Sequence, residues 1–175
     1  MSGNKPEYIV IHHSHTVDSE TKSWDAIRKY HIETNGWKDI GYHKGIERIK
    51  NDVMVFEGRA DDAAGAHAKE LGMNNKSIGI CVVGNYDIIK PSSVHLELLK
   101  RLCHAYMANY NIPVENIIGH RDVGMMAGFN WRRGEYKSCP GEMFDMDDFR
   151  KLVVPDEPII VAEKKPIKAE KKFRW

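Results

Sequence analysis

Ile78-Gly79-Ile80-Cys81-Val82-Val83-Gly84 is the segment that decides the fold class. It carries no charge, is rich in β-branched side chains, and reads as a strand apolar enough to lie at the centre of a sheet. Working outward, Tyr8-Ile9-Val10-Ile11 is a second short apolar run and leads straight into His12-His13-Ser14-His15. Ile46–Ile49 and Val53–Phe56 predict a hairpin turning at Lys50-Asn51-Asp52. Asn116-Ile117-Ile118-Gly119 predicts a further short strand ending at His120. A helix is expected from Ser23 to Thr34, with Trp24, Ile27 and His31 near helical spacing and Asn35-Gly36 as its stop. The longest helix starts at a cap on Ser92 or Ser93, with Val94, Leu98, Leu99, Leu102, Ala105 and Tyr106 as its apolar face. A last helix begins near Asp147 and carries Phe149, Leu152 and Val153. Residues 60–77, rich in Ala, Gly and Asn, predict a long surface loop, and a Gly- and Arg-bearing loop should follow His120. The pattern is α/β: a single mixed domain with a central β-sheet flanked by helices.

The 175 residues suit one domain with an appendage. At 42% hydrophobic and 29% charged residues the chain is globular in composition, which excludes pervasive disorder and collagen-like repetition. No apolar run approaches the roughly 20 residues needed to span a bilayer. Twenty-six basic residues against 25 acidic ones leave a net charge of +1, so nucleic acid is not an expected partner. The opening MSGNKPEYIVIHHSH has no stretch that reads as a signal peptide. Synthesis in the cytoplasm is the expectation, with release needed before action elsewhere. After Val153 the composition shifts: PDEPIIVAEKKPIKAEKKFRW holds three of the seven prolines and a surplus of lysine. The boundaries expected are a domain over 1–153 and a Pro/Lys-rich tail over 154–175, and a monomer is expected.

Three scattered cysteines, Cys81, Cys103 and Cys139, make no disulfide framework. Nine histidines are the unusual count. His12 follows a strand, His120 follows another, and Cys139 lies in a turn before Pro140. Two neutral imidazoles and one thiolate suit zinc and leave a fourth position for water, whose pKa can then fall to about 7. Taken one at a time, each of these residues has an ordinary alternative, a surface or structural histidine and a small buried hydrophobe.

The order of motifs is more specific than any single residue. IVIHHSHT (9–16), GWKDIGYHKGI (36–46), FEGR (56–59), GAHA (65–68), NKSIGICVVGNYD (75–87), IIGHRDV (117–123) and KSCPG (137–141) follow one another along the chain. In this the sequence closely resembles the type 2 N-acetylmuramoyl-L-alanine amidases, the zinc amidase family that includes phage endolysins and peptidoglycan-recognition proteins. The resemblance covers about residues 7–153. It implies that His12, His120 and Cys139 are the zinc ligands, with His13 turned to the other side of the strand and His15 exposed. It implies that Tyr42 and Lys137 are catalytic, the lysine against a developing oxyanion and the tyrosine as a hydrogen-bond donor. His67 is expected at the wall of a substrate groove. Trp37 and Arg59 are weaker substrate-binding candidates, with a core role for Trp37 and a structural hydrogen-bonding role for Arg59 as the alternatives. Asp122 is expected to orient His120 through its other ring nitrogen.

The implied activity is hydrolysis of the amide between N-acetylmuramic acid and L-alanine in bacterial peptidoglycan, in a phage or prophage endolysin. A non-catalytic peptidoglycan-binding protein and a cytoplasmic muropeptide-recycling amidase are the alternatives. Lys44 stands where the family usually has an apolar residue, and Asn51-Asp52 replaces its usual Asp-Gly turn. The stretch 124–136, GMMAGFNWRRGEY, is longer than the family's usual link, and reads either as a lip over the site or as a plain loop insertion.

Overall fold

The computed structural model describes residues 3–17 and 23–154, so the expected tail lies, from residue 155 onward, outside the described residues. Five strands, β1 (Tyr8–His13), β2 (Lys44–Ile49), β3 (Asp52–Glu57), β4 (Ser77–Val82) and β5 (Ile117–Gly119), form one sheet in the order β3-β2-β4-β1-β5. β1 runs parallel to both β4 and β5, β4 parallel to β2, and only the hairpin partner β3 is antiparallel. The segment read as central is central: every residue of β4 is buried. The hairpin closes over Lys50 and Asn51, with Asp52 already paired to Ile49.

Alternation along the strands sorts the two faces. Ile9, Ile11, Ile78, Ile80 and Val82 face the main core, which α2 (Ser93–Tyr110) and α4 (Met146–Val153) complete with Leu99, Cys103, Tyr106, Phe149 and Val153. Val10 faces the other way, onto Ala68, Met73, Ile118 and Val123. On that second side Cys81 and Val83 pack with Ile40 and Trp24, the first residue of α1 (Trp24–Glu33). Gly45 makes this possible, because a Cβ there would come within 2.5 Å of the Trp24 ring. The buried Glu47 carboxylate accepts a 2.7 Å hydrogen bond from the Trp24 amide, tying the positive end of α1 to the sheet.

Several expectations are corrected. The buried stripe of α2 runs through His95, Leu99, Cys103, Tyr106 and Met107, while Val94 and Ala105 face solvent. Ser92 is the cap, accepting from the His95 amide. In α4, Met146 joins Phe149 and Val153 in the core and Leu152 is exposed. Residues 60–77 are not simply a surface loop. Glu70–Asn75 form 3-10 turns kinked at Leu71 and Gly72, Met73 and Ala68 are buried, and Asn74 Oδ1 accepts from the amides of His67 and Ala68. His120 is likewise followed by a helix, α3 (His120–Met126), because Asp122 accepts from the Gly119 amide at 2.8 Å and caps it.

Candidate functional site

Parallel pairing of β1 and β5 sets Ile11 opposite Gly119, so the next residue of each chain, His12 and His120, emerge side by side at the carboxyl ends of their strands. Their ring centroids are 4.6 Å apart. Cys139 arrives from a loop pinned over these strand ends: its carbonyl accepts from the Arg121 amide at 2.6 Å and its Sγ accepts from the His13 amide at 3.4 Å. Cys139 Sγ lies 3.7 Å from His12 Nδ1. One ligand-capable atom from each of His12, His120 and Cys139 lies within 4.8 Å of the others, and all three residues are buried. Two imidazoles and a thiol at that mutual distance fit a tetrahedral zinc ion with one position left open.

Burial sets the electrostatics. It lowers the pKa of His12 well below the usual imidazole value, with His120 adding to the effect, and takes His120 to about 4, helped by Lys137. Both rings are therefore neutral at pH 7, the form that ligates a metal. Burial also pushes the Cys139 thiol up to about 12, partly countered by the His13 amide and Lys137. A dication beside that sulfur would draw off its proton.

A cavity of about 660 Å³ opens over these residues, lined by His12, His120, Cys139, Tyr42, Lys137, His67 and Trp37 among others. Tyr42 stacks obliquely on His12 at 5.2 Å, and burial, with Cys81 and Cys139 nearby, raises its pKa so that the phenol keeps its proton. Lys137 is exposed at the rim, two residues before Cys139. His67 is buried, with Nδ1 3.0 Å from His12 Nε2. Trp37 is half-buried and lines this cavity and an adjoining one of about 700 Å³. Arg59 lines neither cavity. Its guanidinium donates to the carbonyls of Ile40, Ala64 and Asp39, which anchors the segment before Tyr42. Asp122 caps α3 and lies 3.9 Å from Arg150; no hydrogen bond joins it to His120 among those of the described residues. His13 projects from the opposite face and accepts from the Tyr86 amide, and His15 is exposed beside Asp87.

Three contributors escaped the sequence reading. Tyr136 Oη lies 3.1 Å from His120 Nε2 and 2.6 Å from Glu70 Oε2. Arg121, buried, donates to the carbonyls of Ser138, Gly141 and Phe144 and so braces the cysteine loop from beneath. His31 accepts from the Gly41 amide and lies against Trp37 at 4.7 Å. In an extended segment Tyr136 faces away from Lys137 and Cys139, and Glu70 is 66 residues distant. No periodicity links them.

A five-stranded mixed sheet with helices on both faces and a His-His-Cys centre at its strand ends defines a class of α/β domains with a metal-capable groove. The sequence model of the N-acetylmuramoyl-L-alanine amidase family matches residues 2–142, and the chain belongs to that family. It is 44% identical over 126 residues to the endolysin of Enterobacteria phage T3, covering 69% of this chain and 78% of the endolysin. It is 36% identical over 127 residues to peptidoglycan-recognition protein SC2 of Drosophila melanogaster, covering 69% of this chain and 66% of that protein. Among solved structures it is similar to an endolysin N-acetylmuramoyl-L-alanine amidase from Clostridium intestinale, with a TM-score of 0.68, 29% identity, and 86% and 84% of the two chains covered. The chain spans between half and two thirds of the length of the Drosophila recognition proteins it matches.

Proposed function

We propose that the chain is a zinc-dependent N-acetylmuramoyl-L-alanine amidase that cuts the amide between N-acetylmuramic acid and L-alanine in bacterial peptidoglycan, acting as a phage or prophage endolysin. The observation that carries this reading is the convergence of His12, His120 and Cys139 on one point beneath an open groove. These three residues would hold the zinc ion, which would supply a Lewis acid and a lowered pKa for a coordinated water. Lys137, at the rim, supplies a fixed positive charge toward which the carbonyl oxygen can develop its negative charge. Tyr42, protonated in its buried setting, supplies an O–H donor to the same reacting group. His67 and Trp37 line the groove, where they would contact the peptide stem or the sugar. The groove is open enough for a polymer strand to lie across it. Action on the wall follows release of the protein from the cell in which it is made, and the catalytic unit works as a monomer over residues 1–153.

The endolysin relatives favour cleavage, whereas the recognition-protein relatives leave room for binding without it. Incubating the purified protein with intact sacculi and with soluble muropeptides, and identifying the products by mass spectrometry, decides between them. Release of stem peptides with a free L-alanine amino terminus is the expected result. Wall binding without any cleavage would replace the enzyme with a recognition protein.

A further inference from the structure

We infer that Tyr136 and Glu70 are positioning residues of the metal centre, holding the His120 ring with its Nε2–H turned outward and its Nδ1 lone pair left for the ion. The inference rests on the zinc reading above. The argument is a count of protons. Tyr136 Oη sits 2.6 Å from Glu70 Oε2 and 3.1 Å from His120 Nε2. A carboxylate can only accept, so the single phenolic proton goes to Glu70. The phenol oxygen is then left as an acceptor, and among the described residues the hydrogen placed to meet it is one on His120 Nε2. A neutral imidazole protonated at Nε2 has its lone pair at Nδ1. Glu70 thus sets the tautomer of a residue it does not touch.

The segment 124–136 is shaped around this contact. The Tyr136 ring lies against α3 at Gly124, where a Cβ would come within 2.2 Å of it. Phe129 stacks on its other side, 5.6 Å away and nearly parallel at 12°. Glu70 opens the kinked 3-10 segment that the buried Met73 fixes against Val10 and Ile118 of the sheet. Trp131, from the same segment, lies 5.0 Å over the Arg121 guanidinium that braces the cysteine loop. The extra length between the histidine and cysteine motifs is therefore a brace behind two of the three ligands.

The test uses the full chain, with zinc affinity measured by competition against a chromophoric chelator. Tyr136→Phe keeps the ring and its packing and removes only the oxygen, and Glu70→Gln keeps the side chain's size while removing its charge. Tyr136→Phe should weaken zinc binding by about 10- to 100-fold. Adding Glu70→Gln to it should cost nothing further, because Glu70 acts through the phenol; independent structural roles would add. Ring ¹⁵N shifts of His120 in zinc-free protein should show the Nε2–H tautomer in the parent and a mixture of tautomers in Tyr136→Phe. Unchanged affinity and an unchanged tautomer in Tyr136→Phe, beside a parent that binds zinc, overturn this inference alone. A parent that binds no zinc overturns the metal reading beneath it.

Discussion

His12 Nε2 and His67 Nδ1 are 3.0 Å apart in the floor of the groove, so the two imidazoles share one proton. With His12 Nδ1 turned to Cys139, that proton belongs on His12 Nε2, and His67 is its acceptor. This puts His67 behind a proposed ligand as well as along the groove. His67→Phe should therefore weaken zinc binding about 10- to 100-fold, the scale of such outer partners. Chelator competition measures it. Unaltered zinc affinity together with a raised KM would instead make His67 a substrate contact only.

Tyr42 and Lys137 approach the same cavity from different segments, and neither is among the three converging donors. Tyr42→Phe and Lys137→Met should each keep full zinc content and lose turnover. Removing one donor to a developing oxyanion costs about 100- to 1,000-fold in kcat. Metal analysis paired with turnover on muropeptides gives both readings, and wild-type turnover in both variants would remove these two residues from the mechanism.

What was legible in the sequence was what lies at the ends of strongly patterned strands. β1 and the segment before His120 are apolar and short, so the positions of His12 and His120 followed from where those runs stop. Cys139 stood out by its chemistry, a thiolate to go with two imidazoles, while the role of Lys137 came only from the resemblance, since a lysine in a loop has no pattern of its own. Asp122 was misread because an acid beside a ligand suggests an orienting partner, whereas two residues into a helix it caps the backbone at Gly119. The stripe of α2 was legible at Leu98, Leu99, Leu102 and Tyr106 but not at its start, because Val94 is apolar yet lies at the solvent edge, and His95, polar in composition, turns inward against Ser92. The Tyr136–Glu70 contact depends on a close approach at Gly124, which no periodicity announces.

His95 offers a test of pH dependence away from the metal centre. It is buried in the start of α2, and burial, with Arg48 nearby, lowers its pKa from 6.5 to about 4. The folded chain therefore resists a proton that the unfolded chain accepts. The stabilising contribution is complete above about pH 6.5 and is lost as pH falls toward 4. Between pH 7 and pH 5 the loss from this group is about 2 kcal/mol. His95→Gln should be less stable than the parent at pH 7 and should lose that much less on going to pH 5. Urea denaturation at the two pH values checks it; parallel losses in parent and variant would show that His95 does not titrate differently on folding.

Arg121 donates to three carbonyls of the 138–144 segment at 2.6 to 3.3 Å while Trp131 covers its guanidinium. Arg121→Met keeps the apolar stem and takes the guanidinium from the Phe144 carbonyl, while the Ser138 and Gly141 carbonyls keep the amides of Gly141 and Phe144 as donors. One buried carbonyl so orphaned costs about 1–3 kcal/mol, and the loss of stability should be of that size. The loop that carries Cys139 loosens with it, and zinc occupancy should fall in the fraction that remains folded. Denaturation and metal content measured on the same sample would expose a purely electrostatic role, since Arg121→Lys would then restore both.

Cys139→Ser separates the enzyme from a binder. The sulfur sits 3.7 Å from His12 Nδ1, in a site already formed by backbone bonds from His13 and Arg121. A serine hydroxyl is a far weaker zinc ligand than a thiolate, because it keeps its proton at neutral pH. The sheet, α2 and α4 are packed on the other face, around Leu99, Phe149 and Val153, so the fold does not hang on the ion. The variant should be folded, depleted of zinc and inactive, and should still sediment with purified cell walls through the groove. Circular dichroism, zinc content, released L-alanine amino termini and wall pull-down are the four readouts. Parental cleavage by the serine variant would mean that Cys139 is not a ligand and that the zinc mechanism fails. Loss of wall binding together with zinc would mean that the ion itself holds the substrate, and that the groove alone does not.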